Sequence, residues 1–533
     1  MNESRHSAWK GSASGAGSAA QVGLGIFLSR IAGLIRDRVF AHFLGSSDAA
    51  DAFKAAFRIP NMLQNLFGEG VLSASFIPVY ARQLAEGREE EAGRTAGAIA
   101  AILGLVVSLF VLLGVVFTPI LITVIAPGFI GAKRDLTIDL VRILFPGAGL
   151  LVLSAWCLGI LNSHRRFFLS YSAPIFWNLV MIASQLGFGP RMGQEPLTVV
   201  YAWASVLGSA LQFLLQLPTV LRVSRSLRLS LDFHSPPVKA VLHNFIPVFF
   251  GRGVTQISAF IDEMIASLLP TGALAGLGYA QTLYLLPVSL FGMSVSAAEL
   301  PAMSSATGDP KEIAGYLADR LNGGLRRIAY FIIPSSAAFL ILGDVIVAAI
   351  YQTGHFVHHD VVFVWTILAG YAFGLLAATQ SRLYSSAYYA LRDARTPFRL
   401  AVVRVSVSAA LGLLLALAAP RWLGLAPRWG VAGLTLAAGI ASWLEFWLLR
   451  RKMKIKVGST GLQPTYVLKL LGCALAAALI AFLVKQTAVG LHPIWTAALV
   501  LSLYGGLYIL LTGVAGVMDR RIINRLFSRL TGR

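Results

Sequence analysis

Apolar runs of twenty residues or more, parted by short polar segments, fill this chain. A helix needs about 20 apolar residues to cross the hydrocarbon core of a bilayer. The runs predict fourteen spans: 20–44, 58–82, 97–125, 138–162, 168–188, 197–220, 240–268, 272–300, 326–352, 361–388, 399–419, 428–449, 464–484 and 491–514. The ten-residue alternation of an outer-membrane barrel is absent, so the fold class is an all-α polytopic membrane protein. Pro60, Pro78, Pro146, Pro174, Pro247, Pro287 and Pro334 fall inside or at the ends of spans, with Gly251 and Gly253. Each proline removes a backbone donor and bends its helix. Bent helices around a binding site are common in transporters, although proline and glycine are frequent in membrane helices generally.

Composition agrees with the pattern. Of 533 residues, 56% are hydrophobic and 13% charged, against about 25% charged in a soluble domain. Residues 1–19 are polar and lack a leading apolar core, which reads as a cytoplasmic tail without a cleaved signal. Basic residues concentrate in alternate loops, at Arg165 and Arg166, at Arg222, Arg225 and Arg228, from Arg450 to Lys456, and in the tail 516–533. The other loops carry only Lys133, Arg134, Arg191, Arg421, Arg428 and Lys485. That asymmetry places both termini in the cytoplasm. The net charge of +20 is explained by topology and by attraction to anionic phospholipid headgroups, not by nucleic acid, because the basic residues border apolar spans. The two cysteines, Cys157 and Cys473, lie in apolar runs and read as buried structural thiols.

The informative stretch is 29–80, where two apolar helices carry Arg30, Arg36, Asp37, Arg38, Asp48, Asp51, Lys54, Arg58 and Glu69. A charge at bilayer depth costs about 2.5–3.5 kcal/mol on insertion scales and usually faces a protein interior or a wet cavity. Arg30 and Asp37 are seven residues apart and share a helical face, with Arg36 pointing elsewhere. Asn61, Asn65 and Glu69 follow Arg58 at offsets of 3, 7 and 11, within about 60° of one another. Gln64 lies roughly 100° away. A helix that begins at Pro60 leaves the phase of Arg58 open. In the seventh span Arg252, Gln256 and Glu263 share a face, with Asp262 beside it. Static pairing of Arg36 with Asp37, or of Arg252 with Glu263, is the structural alternative.

Catalytic signatures are missing: the chain has no phosphate-binding glycine loop, no HExxH and no Ser/His/Asp motif. His355, His358 and His359 cluster in an outer loop and read as solvated. The residues alone therefore describe a transporter, not an enzyme, with a cationic and partly acidic interior. Arginine forks suit a phosphate or pyrophosphate group there.

SRIAGLIRD, DAFKAAFRIPN and LFGEGVLSASFIPVY, followed by APGF (126–129), LVRILFPGAGLLVLSA (140–155), LNSHRRF (161–167), APIFWN (173–178), YALRDARTPFR (389–399) and GVAGLTLAAGIASW (430–443), resemble the MurJ/MviN-type lipid II flippases. These belong to the multidrug/oligosaccharidyl-lipid/polysaccharide exporter superfamily. The resemblance implies an N-lobe at 20–228, a C-lobe at 236–451 and a central cavity worked by alternating access. It also implies a lipid-tail groove formed by the two helices of 460–515, residence in the bacterial inner membrane, and a monomer. The substrate it implies is undecaprenyl-pyrophosphate carrying the disaccharide-pentapeptide of peptidoglycan. Arg30, Arg36 and Asp37 match the family's first-helix charges, Asp51 the acid opening DAF, and Glu69 the EG motif. Arg36 and Arg30 would approach the pyrophosphate, Asp37 would orient Arg36, and Asp51 would sit near an outer gate.

Two departures stand out. The family's arginine three residues after the IPN asparagine is Gln64 here, and its YADRLxxxP reads YAQTLYLLP, with Thr282 at the arginine position. Arg58 and Arg252 are the candidate replacements. The substrate-binding set is accordingly Arg30, Arg36, Asp37, Arg58, Asn61, Gln64, Asn65, Glu69 and Arg252. The gating or coupling set is Asp51, Asp262, Glu263 and Glu299, working with a sodium ion, a proton or the membrane potential. Flipping of another polyprenyl-linked oligosaccharide, or a non-transporting scaffold that recruits cell-wall enzymes, are the competing readings.

Overall fold

Each apolar run is helical in the computed structural model, which describes residues 12–306, 308–488 and 490–517, with side chains except at 12–23, 69 and 250–259. The chain divides into two compact units, Met1–Leu268 and Leu269–Arg533. The first holds α1 (Ser12–Leu44), α2 (Asp48–Phe67), α3 (Glu69–Ser75), α4 (Ile77–Ala85), α5 (Glu89–Val116), α6 (Thr118–Ile125), α7 (Gly131–Ser163), α8 (Phe167–Phe188), α9 (Gln194–Val223) and α10 (Pro236–Ser267). The second holds α11 (Ala273–Pro287), α12 (Ser294–Ser304), α13 (Pro310–Ile341), α14 (Gly343–Tyr351), α15 (His358–Ala390), α16 (Arg395–Leu413), α17 (Ala419–Trp422), α18 (Gly430–Val457), α19 (Pro464–Thr487) and α20 (Pro493–Val514).

Eleven helical segments among the described residues are long and apolar enough to cross a membrane, so the count of fourteen is not confirmed. Of the three expected spans not among them, 20–44 and 240–268 contain side chains outside the described residues, and 58–82 carries part of the charged constellation. The run 58–82 is moreover not one helix but parts of α2, α3 and α4, interrupted at Gly68 and Phe76. α1 begins at Ser12, inside the expected tail 1–19, while residues 1–11 and most of the tail 516–533 lie outside the described residues. The second compact unit begins at Leu269, not at 236, because α10 packs on α2, α3, α5 and α6 of the first.

Packing separates lipid-type from protein-type faces. On α5, Leu105, Leu109, Leu112 and Val116 form one exposed stripe at helical spacing. Its opposite side buries Ile99 and Leu103 with Leu72, Phe76, Trp156 and Ile160. Trp156 Nε1 donates to the Ala96 carbonyl at 3.2 Å.

In the second unit α15 and α18 approach so closely that a Cβ on Gly374 would lie 2.4 Å from Gly439 Cα. Small residues at such a crossing admit interhelical hydrogen bonds. Thr435 Oγ1 donates to the Ile367 carbonyl (2.9 Å) and Trp443 Nε1 to the Phe373 carbonyl (2.9 Å). α13 shows how a proline is accommodated. Pro334 cannot donate to the carbonyl four residues back, Tyr330, and Tyr508 Oη of α20 donates to it instead at 2.7 Å. Tyr504 Oη donates to the Pro334 carbonyl at 2.7 Å.

The RDART turn between α15 and α16 is closed by Asp393. Its carboxylate accepts from Lys456 Nζ (2.6 Å), Thr396 Oγ1 (2.8 Å) and the Thr396 amide (3.1 Å). The Lys456 ammonium, aided by Thr396, holds this carboxyl down at about 2.

Two outcomes are expected. Gly374→Ala should push α15 from α18 and lower the melting temperature of the detergent-solubilised protein, at an overpacking cost of about 1–3 kcal/mol; Gly104→Ala, where a Cβ meets open space, should not. Asp393→Asn should cost about 1 kcal/mol or less at pH 7, since its ion pair is partly exposed. A depressed carboxyl stabilises above its unfolded value, near 3.8, and loses that stabilisation as pH falls. The gap between variant and wild type should therefore close between about pH 4 and pH 2.

Candidate functional site

The polar face of the first unit is built where α1 crosses α8 and where α2 starts. Asp37 is buried and accepts from its neighbour Arg36, at 2.9 Å from Nη2 and 3.2 Å from Nε. The guanidinium lies over the Trp177 ring, 4.9 Å from its centroid. Trp177 is fixed in turn by donating to the Ser205 carbonyl at 3.1 Å. A carboxylate and an aromatic face thus hold one arginine in a set orientation, the arrangement a bidentate oxyanion contact needs. Lys54 lies 4.8 Å over the Phe40 ring, beside the buried Phe53 and Tyr201. Arg30 is exposed one turn and a half before Arg36 and takes no part in this arrangement.

α2 starts earlier than Pro60. Ser47 caps it, accepting from the Ala50 amide at 3.2 Å, and Pro60 is an interior residue. Arg58 therefore sits inside the helix, in phase with the half-buried Asn61 and Asn65, with Gln64 also half-buried. The helix breaks at Gly68, where a Cβ would lie 2.2 Å from the Gln64 carbonyl oxygen. The break puts Glu69 on α3, so the four-residue stripe of a continuous helix does not hold. The side chains of Glu69 and Arg252 lie outside the described residues.

Glu263 of α10 has Arg58 as its described partner, Oε1 lying 3.2 Å from Nε. The Arg58 Nε–H is not aligned into a hydrogen bond, so this is a charge contact. Asp262 is half-buried beside it. Asp51, fully buried, and Asp48 both meet Lys133 at the start of α7, at 2.7 and 2.8 Å. Lys133 also lies 4.3 Å over the Phe129 ring. A basic residue one turn after APGF, in a loop expected to be poor in them, was the available signal for this missed partner.

In the second unit Glu299 is buried between Arg320, 2.9 Å away, and Arg327, so it is a paired carboxylate. Thr282 Oγ1 donates to the Gly278 carbonyl at 3.1 Å. Sequence reasoning missed a further pair between two span-length helices, Arg404 Nε to Glu445 Oε2 at 3.1 Å, since 41 residues separate its members. His359 remains exposed, with Nε2 2.8 Å from Arg428 Nη1. No group of three or more metal-ligating side chains occurs among the described residues.

The same unit has an apolar cavity of about 450 Å³ lined by α11, α13 and α20, with Phe291, Phe331, Pro334, Tyr504 and Tyr508 on its walls. Of the expected lipid-tail segment 460–515, α20 alone lines it. The other walls come from α11, the turn after it, α13 and α14, and none of the lining belongs to α19.

Comparison with known proteins places this geometry. Residues 40–503 match the family model described as Lipid II flippase MurJ. A probable lipid II flippase MurJ of Rhizobium tropici is 34% identical over 424 residues, covering 78% of this chain and 76% of the relative. The lipid II flippase MurJ of Burkholderia cenocepacia is 30% identical, covering 85% and 86%. Among solved structures, a lipid II flippase MurJ in an inward closed conformation shares the fold with a TM-score of 0.73 at 24% identity, covering 96% of this chain and 99% of its own. An inward-facing MATE family multidrug transporter does so at 0.65 and 15% identity, covering 83% and 100%. The chain is a multi-pass membrane protein of the lipid II flippase MurJ family.

Proposed function

We propose that this protein flips lipid II, carrying the undecaprenyl-pyrophosphate-linked disaccharide-pentapeptide from the inner to the outer leaflet of the bacterial inner membrane. The reading rests on one observation within a member of this family: Arg36, at membrane depth, is clamped by Asp37 and stacked on Trp177. A guanidinium so held is pre-organised for a pyrophosphate and loses little conformational freedom on contact. Arg58 is the second cation of the first unit, since its contact with Glu263 uses no aligned hydrogen bond. The 450 Å³ apolar cavity takes part of the polyprenyl chain.

Transport exposes the site to each leaflet in turn, with both termini in the cytoplasm and the protein acting as a monomer among anionic phospholipids. The membrane potential supplies the drive: about 2.3 kcal/mol per elementary charge per 100 mV favours inward movement of a cationic site. Of the carboxylates put forward for gating or coupling, Asp51, Asp262, Glu263 and Glu299, the last two face arginines and Asp51 faces Lys133, which supports roles as charge partners.

The test is labelling of outer-leaflet lipid II in bacteria depleted of their own flippase. Wild type should restore labelling, and Arg36→Ala, at matched membrane levels, should reduce it at least tenfold; labelling unaffected by Arg36→Ala would leave a scaffold as the better account.

A double-mutant cycle separates the roles of Arg58. If it contacts the substrate, Arg58→Ala should lose most transport while Glu263→Gln keeps most of it. If Arg58 and Glu263 serve only each other, each single variant should cost as much as the double.

A further inference from the structure

Three helices of the second unit each bring one charge to the same place. Arg404 lies nine residues into α16, about 14 Å from its start at a 1.5 Å rise, and Glu445 lies twelve residues before the end of α18. Arg382 lies eight residues before the end of α15. All three helices are long and apolar enough to cross a membrane. Arg404 and Glu445 meet at 3.1 Å, and both Arg382 and Arg404 act electrostatically on Glu445 and on Tyr284 of α11. Tyr284 stacks on Tyr371, with ring centroids 4.8 Å apart. Tyr371 and Arg382 are eleven residues apart on α15 and so share its face.

The cluster holds two arginines and one carboxylate. A neutral pair would suffice to tie α16 to α18, and Arg382 makes no ion pair among the described residues. One positive charge is therefore left over beside the pair, on the exposed side chain of Arg382. It stands in the unit whose expected cavity arginine is Thr282.

We propose that Arg404 and Arg382 form a second oxyanion-binding site for the substrate headgroup, with Glu445 occupying Arg404 until the headgroup displaces it. The inference rests on the lipid II reading. A pyrophosphate or a peptide-stem carboxylate has the same fork-binding chemistry as the glutamate it would replace. The stacked tyrosines offer a flat face to the attached sugar. In the empty protein Glu445 lowers the cost of keeping Arg404 in the membrane, and a bound oxyanion takes over that role.

The test uses the purified full chain, with thermal protection by inorganic pyrophosphate or by soluble muramoyl pentapeptide as the readout. Arg404→Gln should weaken binding of one probe at least tenfold, and whichever probe responds identifies the oxyanion as phosphate or carboxylate. Glu445→Gln should tighten that binding several-fold by removing the competitor. The swap Arg404→Glu with Glu445→Arg should keep the ligand-free melting temperature and stay as weak as Arg404→Gln. Should Arg404→Gln not fold, Arg404→Lys keeps the charge without the fork and should still lose most of the affinity.

Recovery of affinity in the swapped protein, weaker binding in Glu445→Gln, or no response to either probe would overturn the proposal and leave a structural pair. Failure here leaves the lipid II reading standing, because Arg36→Ala tests that reading by lipid labelling. Arg404-dependent binding without lipid II labelling would instead sink the substrate and keep the site.

Discussion

Keeping an arginine ionised inside a bilayer is the constraint that orders this structure. Transfer of a charge to the centre of the hydrocarbon core costs about 2.5–3.5 kcal/mol even on insertion scales, so each such residue needs a partner. Arg36 has Asp37 and the Trp177 face, Arg58 has Glu263, and Arg404 has Glu445. The helices bearing these partners cannot be uniformly apolar. α2, with Asp48, Asp51, Lys54 and Arg58 in twenty residues, accordingly misses the composition of a simple membrane span.

Helix-forming stretches were legible because the apolar runs exceed the bilayer thickness and the breakers between them are strong. The Arg36–Asp37 pair was legible as well, since adjacent charges within an apolar run leave few alternatives. What the sequence hid was the break at Gly68. A glycine between Phe67 and Glu69 is compatible with a continuous helix until the close approach of the Gln64 carbonyl is seen. Pro60 misled in the opposite direction, because a proline is favoured at a helix start yet here lies in the interior of α2. The carboxylate Glu263 was paired in sequence space with Arg252 through its own helical face. Its described partner, Arg58, comes from a helix some two hundred residues earlier. Periodicity reports faces of one helix and is silent on which helices meet.

The same limit explains the two partners that were missed. Lys133 is one turn from APGF, and nothing local connects it to the DAADAF helix start that it neutralises. Arg404 and Glu445 lie on α16 and α18, each in an otherwise apolar run. Read singly, each is an isolated charge in a span. Read together, they are a pair whose excess partner, Arg382, makes the cluster cationic.

Pairing has a consequence for transport beyond stability. A binding cation left bare in the empty protein would have to be stabilised by water, whereas one tied in an ideal buried salt bridge would resist release. The contacts seen here lie between these limits: Arg58 approaches Glu263 at 3.2 Å without an aligned hydrogen bond, and Arg404 and Glu445 keep 28% and 12% of their side-chain surface exposed. Partial solvation raises the effective dielectric and weakens the mutual attraction, so that in the proposed sites exchange of a glutamate for a substrate oxyanion would be a substitution of like for like. The cost of emptying the site is then much the same as the cost of filling it, and a carrier that must both capture and release its lipid needs that balance.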